Sequence, residues 1–148
     1  MIKQISIKTK FGWISAFEVK NVITEVKFGK YKSIGKSKNL KKFKLNLKKY
    51  FSKKSKFFNI NTKVDGNFVQ KKIWNELKKI KFGQTKTYGE IAKKNKLSPR
   101  HIGKICSQNK ILLAIPCHRV VRSDGTMGGF SAKGGISLKK KLLKFENC

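Results

Sequence analysis

The hydrophobic pattern of this chain changes at Asp65-Gly66, and this change constrains the fold more than any other feature. Before it, Ile2–Ile7 alternates apolar and polar residues and Gly12–Phe28 carries apolar residues at mixed spacing, which predicts strands. Helical spacing follows at Leu40, Phe43, Leu47 and Tyr50/Phe51. Beyond the turn the pattern is mainly helical. In a chain of 148 residues this favours a small α/β domain over residues 1–62 and a mainly α domain over 63–148.

Three helices are predicted early in the C-terminal part. The first, ending near Phe82-Gly83, has an apolar face formed by Val69, Ile73, Leu77 and Ile80. Thr87 can cap a second helix that runs to Asn95, and Ser98-Pro99 opens a third that runs to about Gln108. Two short helices with a tight connection predict a helix-turn-helix, and a plain helical hairpin fits the spacing equally well.

The last third of the chain combines an apolar run with turn signals. Ile111–Ile115 ends at Pro116 and predicts a buried strand that leads into the next residues. Asp124-Gly125 is a strong turn signal, and a glycine-rich stretch follows it. A final helix is predicted from Ile136 to about Glu146.

The charge of the chain is strongly positive. There are 37 Lys+Arg against 7 Asp+Glu, a formal net charge of +30, which predicts a polyanionic partner and nucleic acid before membrane. An AT-rich genome, which favours Lys codons, is the alternative explanation for most of the excess of basic residues. Only three positions are Arg, and they are expected to need a planar head with several donors: Arg100, Arg119 and Arg122.

No targeting or membrane segment is evident in the sequence. No apolar run approaches the roughly 20 residues that span a bilayer, and the start, MIKQISIKTK, lacks the apolar stretch of a signal peptide. We therefore expect a cytoplasmic protein that does not associate with membranes.

The sequence Pro116-Cys117-His118 is the strongest candidate for chemistry. The three cysteines, Cys106, Cys117 and Cys148, have no CxxC spacing, and no metal site is predicted. A neighbouring His can help form the thiolate of Cys117, directly or through a water, and Glu146 is one of few carboxylates available to orient the imidazole. The alternative is a buried Cys that packs as a small apolar side chain beside a hydrogen-bonded His.

Three segments in the right order resemble the O6-alkylguanine-DNA alkyltransferases, a family of direct-reversal DNA repair proteins. They are residues 67–74 (NFVQKKIW), residues 82–92 (FGQTKTYGEIA) and residues 115–121 (IPCHRVV). The resemblance is strong from Asp65 to Glu146 and weak before it. It implies an N-terminal ribonuclease-H-like α/β domain and a C-terminal helix-turn-helix, winged-helix-like domain. The C-terminal domain would insert its recognition helix into the minor groove and flip the damaged nucleotide into a pocket.

The resemblance also implies roles for individual residues. Cys117 would be the alkyl acceptor, His118 would take its proton through a water with Glu146 orienting the ring, and Tyr88 would assist the guanine leaving group. Arg100 would fill the place of the flipped base. The remaining DNA- or substrate-binding positions would be Lys104, Asn109 at a hinge, Val120 through its carbonyl, and Phe130, Ser131 and Lys139 in or after a closing loop.

The implied activity is that of a methylated-DNA–protein-cysteine methyltransferase. It would move the alkyl group of O6-alkylguanine in double-stranded DNA to Cys117 once, irreversibly and without a cofactor. We expect a monomer, with cooperative binding on DNA and activity on O4-alkylthymine left open. A non-catalytic, basic DNA-binding protein and a Cys-His hydrolase of esters or amides are the rival interpretations.

Overall fold

A computed structural model describes residues 1–55, 58–124, 126, 128 and 135–146. The chain divides into two compact units. Unit 1 comprises Met1–Asp65 and Lys110–Ala114, and unit 2 comprises Gly66–Asn109 and Ile115–Cys148. The division therefore follows Asp65 rather than residue 62. It also gives unit 1 a second segment, because Val26 exchanges backbone hydrogen bonds with Lys110 and Leu112.

Unit 1 is an antiparallel sheet covered by one helix. Its strands are β1 (Ile2–Thr9), β2 (Gly12–Val19) and β3 (Val22–Phe28), in the order β1-β2-β3. Helix α1 (Lys38–Phe51) begins where the Ser37 side chain accepts from the Leu40 backbone N–H. The predicted strands and helix are confirmed. The buried core joins the sheet and the helix through Ile14, Ile23, Val26, Leu40, Phe43, Leu47 and Tyr50.

Unit 2 is mainly helical among its described residues. Its elements are α2 (Phe68–Leu77), β4 (Lys86–Thr87), α3 (Tyr88–Asn95), α4 (Pro99–Ser107), β5 (Val120–Val121) and α5 (Gly135–Phe145). The side chains of Thr87 and Ser98 cap α3 and α4, as predicted. β4 and β5 pair in parallel, which sets Tyr88, the first residue of α3, beside the segment that follows Cys117.

The fold is thus mixed α/β, with five α-helices and two small sheets in the described ranges. The helices α1, α3, α4 and α5 agree with the sequence predictions within a residue or two. None of the helices in these ranges has the length and apolar content that a membrane span requires.

Two predicted elements are wrong. Helix α2 ends at Leu77 and not near Phe82-Gly83, because the chain tightens after it: the Ile80 N–H bonds the Leu77 carbonyl, and the Ile80 carbonyl accepts from the Arg119 guanidinium. The predicted strand Ile111–Ile115 is a series of turns, in which Leu113 has a φ of 68°. Its Ile and Leu side chains are buried and Ala114 is half-buried, but of these residues only Ile111 makes a bridge to the sheet.

Candidate active site

Cys117 lies at the start of a 3₁₀ turn, Cys117–Arg119, and not at the end of a strand. Pro116, at φ −80° and ψ 64°, bends the chain so that the Cys117 N–H reaches the Ile115 carbonyl at 2.8 Å. In extended backbone, neighbouring side chains would point to opposite sides. The turn removes that restriction and buries the whole segment, with Cys117 only 4% exposed.

The sulfur of Cys117 is held by the side chain of Asn109. The Asn109 amide donates to Sγ at 3.2 Å and to the Ile115 carbonyl at 2.8 Å. Burial raises the pKa of the Cys117 thiol. The Asn109 hydrogen bond, the charge of Lys139 and the backbone N–H of His118 act in the opposite direction. The site therefore favours a neutral thiol at rest and has donors ready for a thiolate.

A buried charge cluster lies next to the sulfur along the chain. Nε2 of His118 lies 2.6 Å from one carboxylate oxygen of Glu146, and Nε of Arg119 donates to the other oxygen at 2.6 Å. Nη1 of Arg119 also donates to the Ile80 carbonyl at 2.8 Å. Because the turn places two consecutive residues on one carboxylate, the C-terminal end of α5 is fixed to the Cys117 segment through Glu146, the residue that follows the helix.

The pKa values define the protonation of this cluster. Burial by itself raises the pKa of Glu146, but the hydrogen bonds and charges of His118 and Arg119 outweigh it and bring the pKa to about 2. Burial lowers the pKa of His118 more than Glu146 raises it. The ring is therefore neutral at pH 7, and its charge acts on Glu146 only at the lower pH at which the ring is protonated. Since a carboxylate only accepts, Nε2 carries the proton and Nδ1 keeps its lone pair, and Nδ1 has no hydrogen-bond partner among the described residues.

A second buried cation contacts the segment that follows the sulfur. Lys139 of α5 is 0% exposed, and its ammonium donates to the Val120 carbonyl at 2.6 Å and to the Tyr88 hydroxyl at 3.2 Å. Burial raises the pKa of Tyr88 to about 12, with the thiols of Cys106 and Cys117 adding to the effect. Since an ammonium only donates, the Tyr88 oxygen accepts and its own proton points elsewhere.

An open cleft of about 730 Å³ lies beside this group in unit 2. Arg100 on α4 and Arg122 both line it, together with the Tyr88 ring. A side chain at Gly128 would overlap that ring, with Cε2 of Tyr88 only 2.6 Å from its Cβ, so glycine is required there. The cleft is lined by Tyr88, Gly89, Pro99, Arg100, Gly103, Ser107, Arg122, Ser123, Asp124 and Gly128.

Residues 68–148 match the family model described as 6-O-methylguanine DNA methyltransferase, DNA binding domain. This is more than half of the chain. The chain belongs to this family. The resemblance inferred from the sequence motifs is thereby confirmed, and the match covers all the site residues described above.

Curated relatives carry the name methylated-DNA–protein-cysteine methyltransferase. The one from Sulfolobus acidocaldarius is 45% identical over 97 residues, which is 66% of this chain and 61% of that protein. The one from Methanosarcina acetivorans is 39% identical over 102 residues, covering 68% and 64%. The chain thus matches somewhat less than two thirds of the length of these relatives.

Solved structures of the family share the fold over nearly the whole chain. The O6-methylguanine methyltransferase of Mycobacterium tuberculosis has a TM-score of 0.86 and 26% identity, covering 99% of this chain and 93% of that one. A second structure from the same organism, described as OGT in complex with DNA, has a TM-score of 0.83 and 25% identity, covering 97% and 92%.

The residues predicted for this alkyltransferase-family site fall into three groups. The structure brings together Cys117 with Asn109, His118 with Glu146, and Tyr88 with Val120 and Lys139. Arg100 and Lys104 are exposed on α4, and Arg100 lines the cleft. Phe130 and Ser131 lie outside the described residues.

Sequence reasoning gave Arg119 no place in the site, although it is the second partner of Glu146. The available signal was its residue type. It is one of three arginines in a chain that otherwise uses Lys, and its guanidinium bonds two acceptors that a Lys could not reach with the same geometry.

Proposed function

We propose that this protein repairs DNA by moving the alkyl group of O6-alkylguanine to the sulfur of Cys117. The observation that carries the proposal is the environment of that sulfur: it accepts from Asn109 beside a His118–Glu146–Arg119 cluster, in the family-matched part of the chain. The thiolate forms a carbon–sulfur bond as the bond from that carbon to guanine O6 breaks, and the electron pair of the broken bond goes to guanine. The product is a thioether, so each molecule acts once.

His118 is the proposed base. Its Nδ1 has the lone pair, and a water between Nδ1 and the thiol would carry the proton away from Cys117. Glu146 fixes the tautomer and stabilises the imidazolium that forms, while Arg119 holds Glu146 in place.

Tyr88 is the proposed acid for the leaving guanine. Its raised pKa keeps the phenol protonated, and its oxygen already accepts from Lys139, so the proton is free to be donated into the cleft. Val120 is assigned to the guanine amine through its carbonyl, which has a second lone pair beside the one that Lys139 occupies. Lys139 supports both groups from the interior. Phe130 and Ser131 are assigned to closure over the base.

DNA binding is assigned to unit 2, with α3 and α4 as the helix-turn-helix of a winged-helix-like domain. α4 would enter the minor groove with Arg100 in the place of the flipped base, Lys104 would contact phosphate, and Asn109 would mark the hinge. Unit 1 would be the ribonuclease-H-like domain. The proposed partner is double-stranded DNA with O6-alkylguanine, bound by a monomer.

Mass spectrometry after incubation with an O6-methylguanine duplex tests the proposal. We expect one added methyl group, on the Cys117 peptide, in the wild type and in a Cys106→Ser control. Turnover beyond one equivalent, or labelling that persists in Cys117→Ser, would refute it.

A benzylguanine pseudosubstrate separates the rival functions. Labelling by one equivalent supports the alkyltransferase. Absence of labelling, with duplex binding retained, indicates a non-catalytic DNA-binding protein. Turnover of ester substrates indicates a Cys-His hydrolase, which would also need an oxyanion hole.

A further inference from the structure

The exposed side of α1 in unit 1 is a surface made almost entirely of lysine. Between Glu25 and Asp65 the chain has no acidic residue. The exposed positions of the helix are six lysines and Leu45, which is 53% exposed. We call the six the α1 lysine face: Lys38, Lys41, Lys42, Lys44, Lys48 and Lys49.

The six side chains lie on one side of the helix. At 3.6 residues per turn they fall within about 160° of the circumference, opposite the buried Leu40, Phe43 and Leu47. Among the described residues none of the six makes an ion pair. The charge of this face is therefore not neutralised within unit 1.

The arrangement opposes helix stability. Lys38 and Lys42, and Lys44 and Lys48, are like charges four residues apart, which repel along a helix. Lys38 and Lys41 lie near the helix N-terminus, where the backbone dipole favours an acidic residue and the first turn has none. A bound polyanion would relieve both effects.

We propose that the α1 lysine face binds the phosphate backbone of nucleic acid without regard to sequence. Its dimensions fit: a 14-residue helix is about 21 Å long, and over that length a duplex presents about twelve phosphate charges. A membrane-surface helix would need an open apolar face, whereas the apolar face of α1 is buried against the sheet. This binding surface is made of unit 1 residues, and binding to it does not require alkyl transfer.

The experiment measures the affinity of the full chain for undamaged duplex over a series of salt concentrations. In the variant with Lys41→Gln, Lys44→Gln and Lys48→Gln, we expect the slope of log affinity against log salt to decrease by about 2 to 3. The same three positions changed to Arg keep the charge and should keep the slope.

A matched control removes three other exposed lysines of unit 1, in the variant with Lys8→Gln, Lys20→Gln and Lys32→Gln. This control has the same net charge as the variant with three Gln on α1. We expect its salt slope to change by less than about 1 relative to the wild type. Equal changes of the salt slope in the two Gln variants would overturn the proposal. Binding would then reflect the positive charge of the protein as a whole and not the α1 lysine face. An unchanged slope in the α1 variant would also overturn the proposal. Because the DNA is undamaged, the result is independent of whether Cys117 accepts an alkyl group.

Discussion

The two units carry charge in different ways. In unit 1 most of it lies on the surface, as lysines of α1 that have no acidic partner in the described ranges. The one buried acidic side chain described there, Glu18, accepts from the Asn39 amide at 3.1 Å. In unit 2, apart from the buried thiols of Cys106 and Cys117, four basic or acidic side chains are buried among the described residues, and each has a defined partner: His118, Arg119, Lys139 and Glu146. Exposed charges are screened and exchangeable, whereas buried ones depend on geometry. Substitutions should therefore have small, additive effects in the first group and large effects in the second.

The largest expected effect comes from Glu146→Gln. It removes the carboxylate that accepts from both His118 and Arg119 and leaves a buried guanidinium without its counter-charge. Losing one partner of a buried pair destabilises a protein by about 3–5 kcal/mol. Urea denaturation measures the change in the free energy of unfolding.

The control is Glu90→Gln, which breaks an exposed pair with Lys86 at 3.8 Å. It should change stability by about 0–1 kcal/mol. Similar losses in the two variants would remove the distinction between buried and exposed charge.

Acid should destabilise the protein through the same cluster. Glu146 has a pKa of about 2 in the folded state against an ordinary 4.5, so its contribution is full above pH 4.5 and is lost as pH falls toward 2. The pKa of His118 is below its ordinary 6.5, so its contribution is lost as pH falls below 6.5. Both groups destabilise the folded protein as pH falls. The carboxylate of Glu146 alone accounts for about 3 kcal/mol of the free energy of unfolding.

Urea denaturation at pH 7, 5.5 and 3 measures this effect. Glu146→Gln should remove most of the loss below pH 4.5, and His118→Gln should remove the loss just below pH 6.5. An unfolding free energy that stays constant from pH 7 to 3 in the wild type would contradict the protonation states assigned to the cluster.

Reactivity of the sulfur should depend on Asn109. Burial raises the pKa of the Cys117 thiol, so the rate of alkylation should rise with pH as the thiolate forms. Asn109→Ala removes a hydrogen bond to the thiolate worth about 1.5–3 kcal/mol, so the rate should fall roughly 10- to 100-fold and its pH profile should move to higher pH.

The matched control is Asn95→Ala. The Asn95 amide donates only locally, to the Ile91 carbonyl of α3 at 2.8 Å, and the rate profile of this variant should keep its position. A pure loss of rate in Asn109→Ala, with no movement of the profile, would mean that Asn109 acts on the backbone and not on the sulfur.

Arg100 and Lys104 should separate two kinds of exposed charge on α4. If Arg100 replaces a flipped base, Arg100→Ala slows repair of duplex DNA and leaves reaction with the free modified base nearly intact, because only the duplex requires unstacking. Lys104→Ala should weaken binding to every sequence and reduce the salt slope by about 0.9. Equal losses of Arg100→Ala on free base and duplex would place Arg100 in the fold or pocket instead.

The parts of the fold that could be predicted from the sequence are those with local causes. Helices α3 and α4 begin at Thr87 and Ser98-Pro99 because capping residues act within three positions. The end of α2 could not be predicted, since the apolar spacing continues to Ile80 while the backbone tightens into three-residue turns after Leu77. The Ile80 carbonyl is bonded by Arg119, 39 residues away in the sequence. Apolar composition predicted that Ile111–Ile115 is buried, but it does not determine backbone angles.

The candidate site divides in the same way. Cys117 and His118 are adjacent, so their motif could be recognised directly, and Glu146 was available because acidic residues are few. The place of Arg119 and the burial of Lys139 both depend on how α5 packs against the Cys117 segment. No feature of the sequence indicates that packing. Arg119 and Lys139 could therefore be singled out from the sequence, but their partners could not.

The smallest expected effect compares one helix cap in each unit. The side chain of Thr87 accepts from the Glu90 N–H at 3.0 Å, and that of Ser37 accepts from the Leu40 N–H at 3.1 Å. Thr87→Ala and Ser37→Ala should each cost about 1 kcal/mol of stability. Only Thr87 fixes the start of the helix that carries the Tyr88 hydroxyl, so only Thr87→Ala should also slow alkylation of Cys117, by a few-fold. Equal losses of the alkylation rate in the two variants would show that the reaction responds to the global stability of the protein. The two helix caps would then not differ between the units.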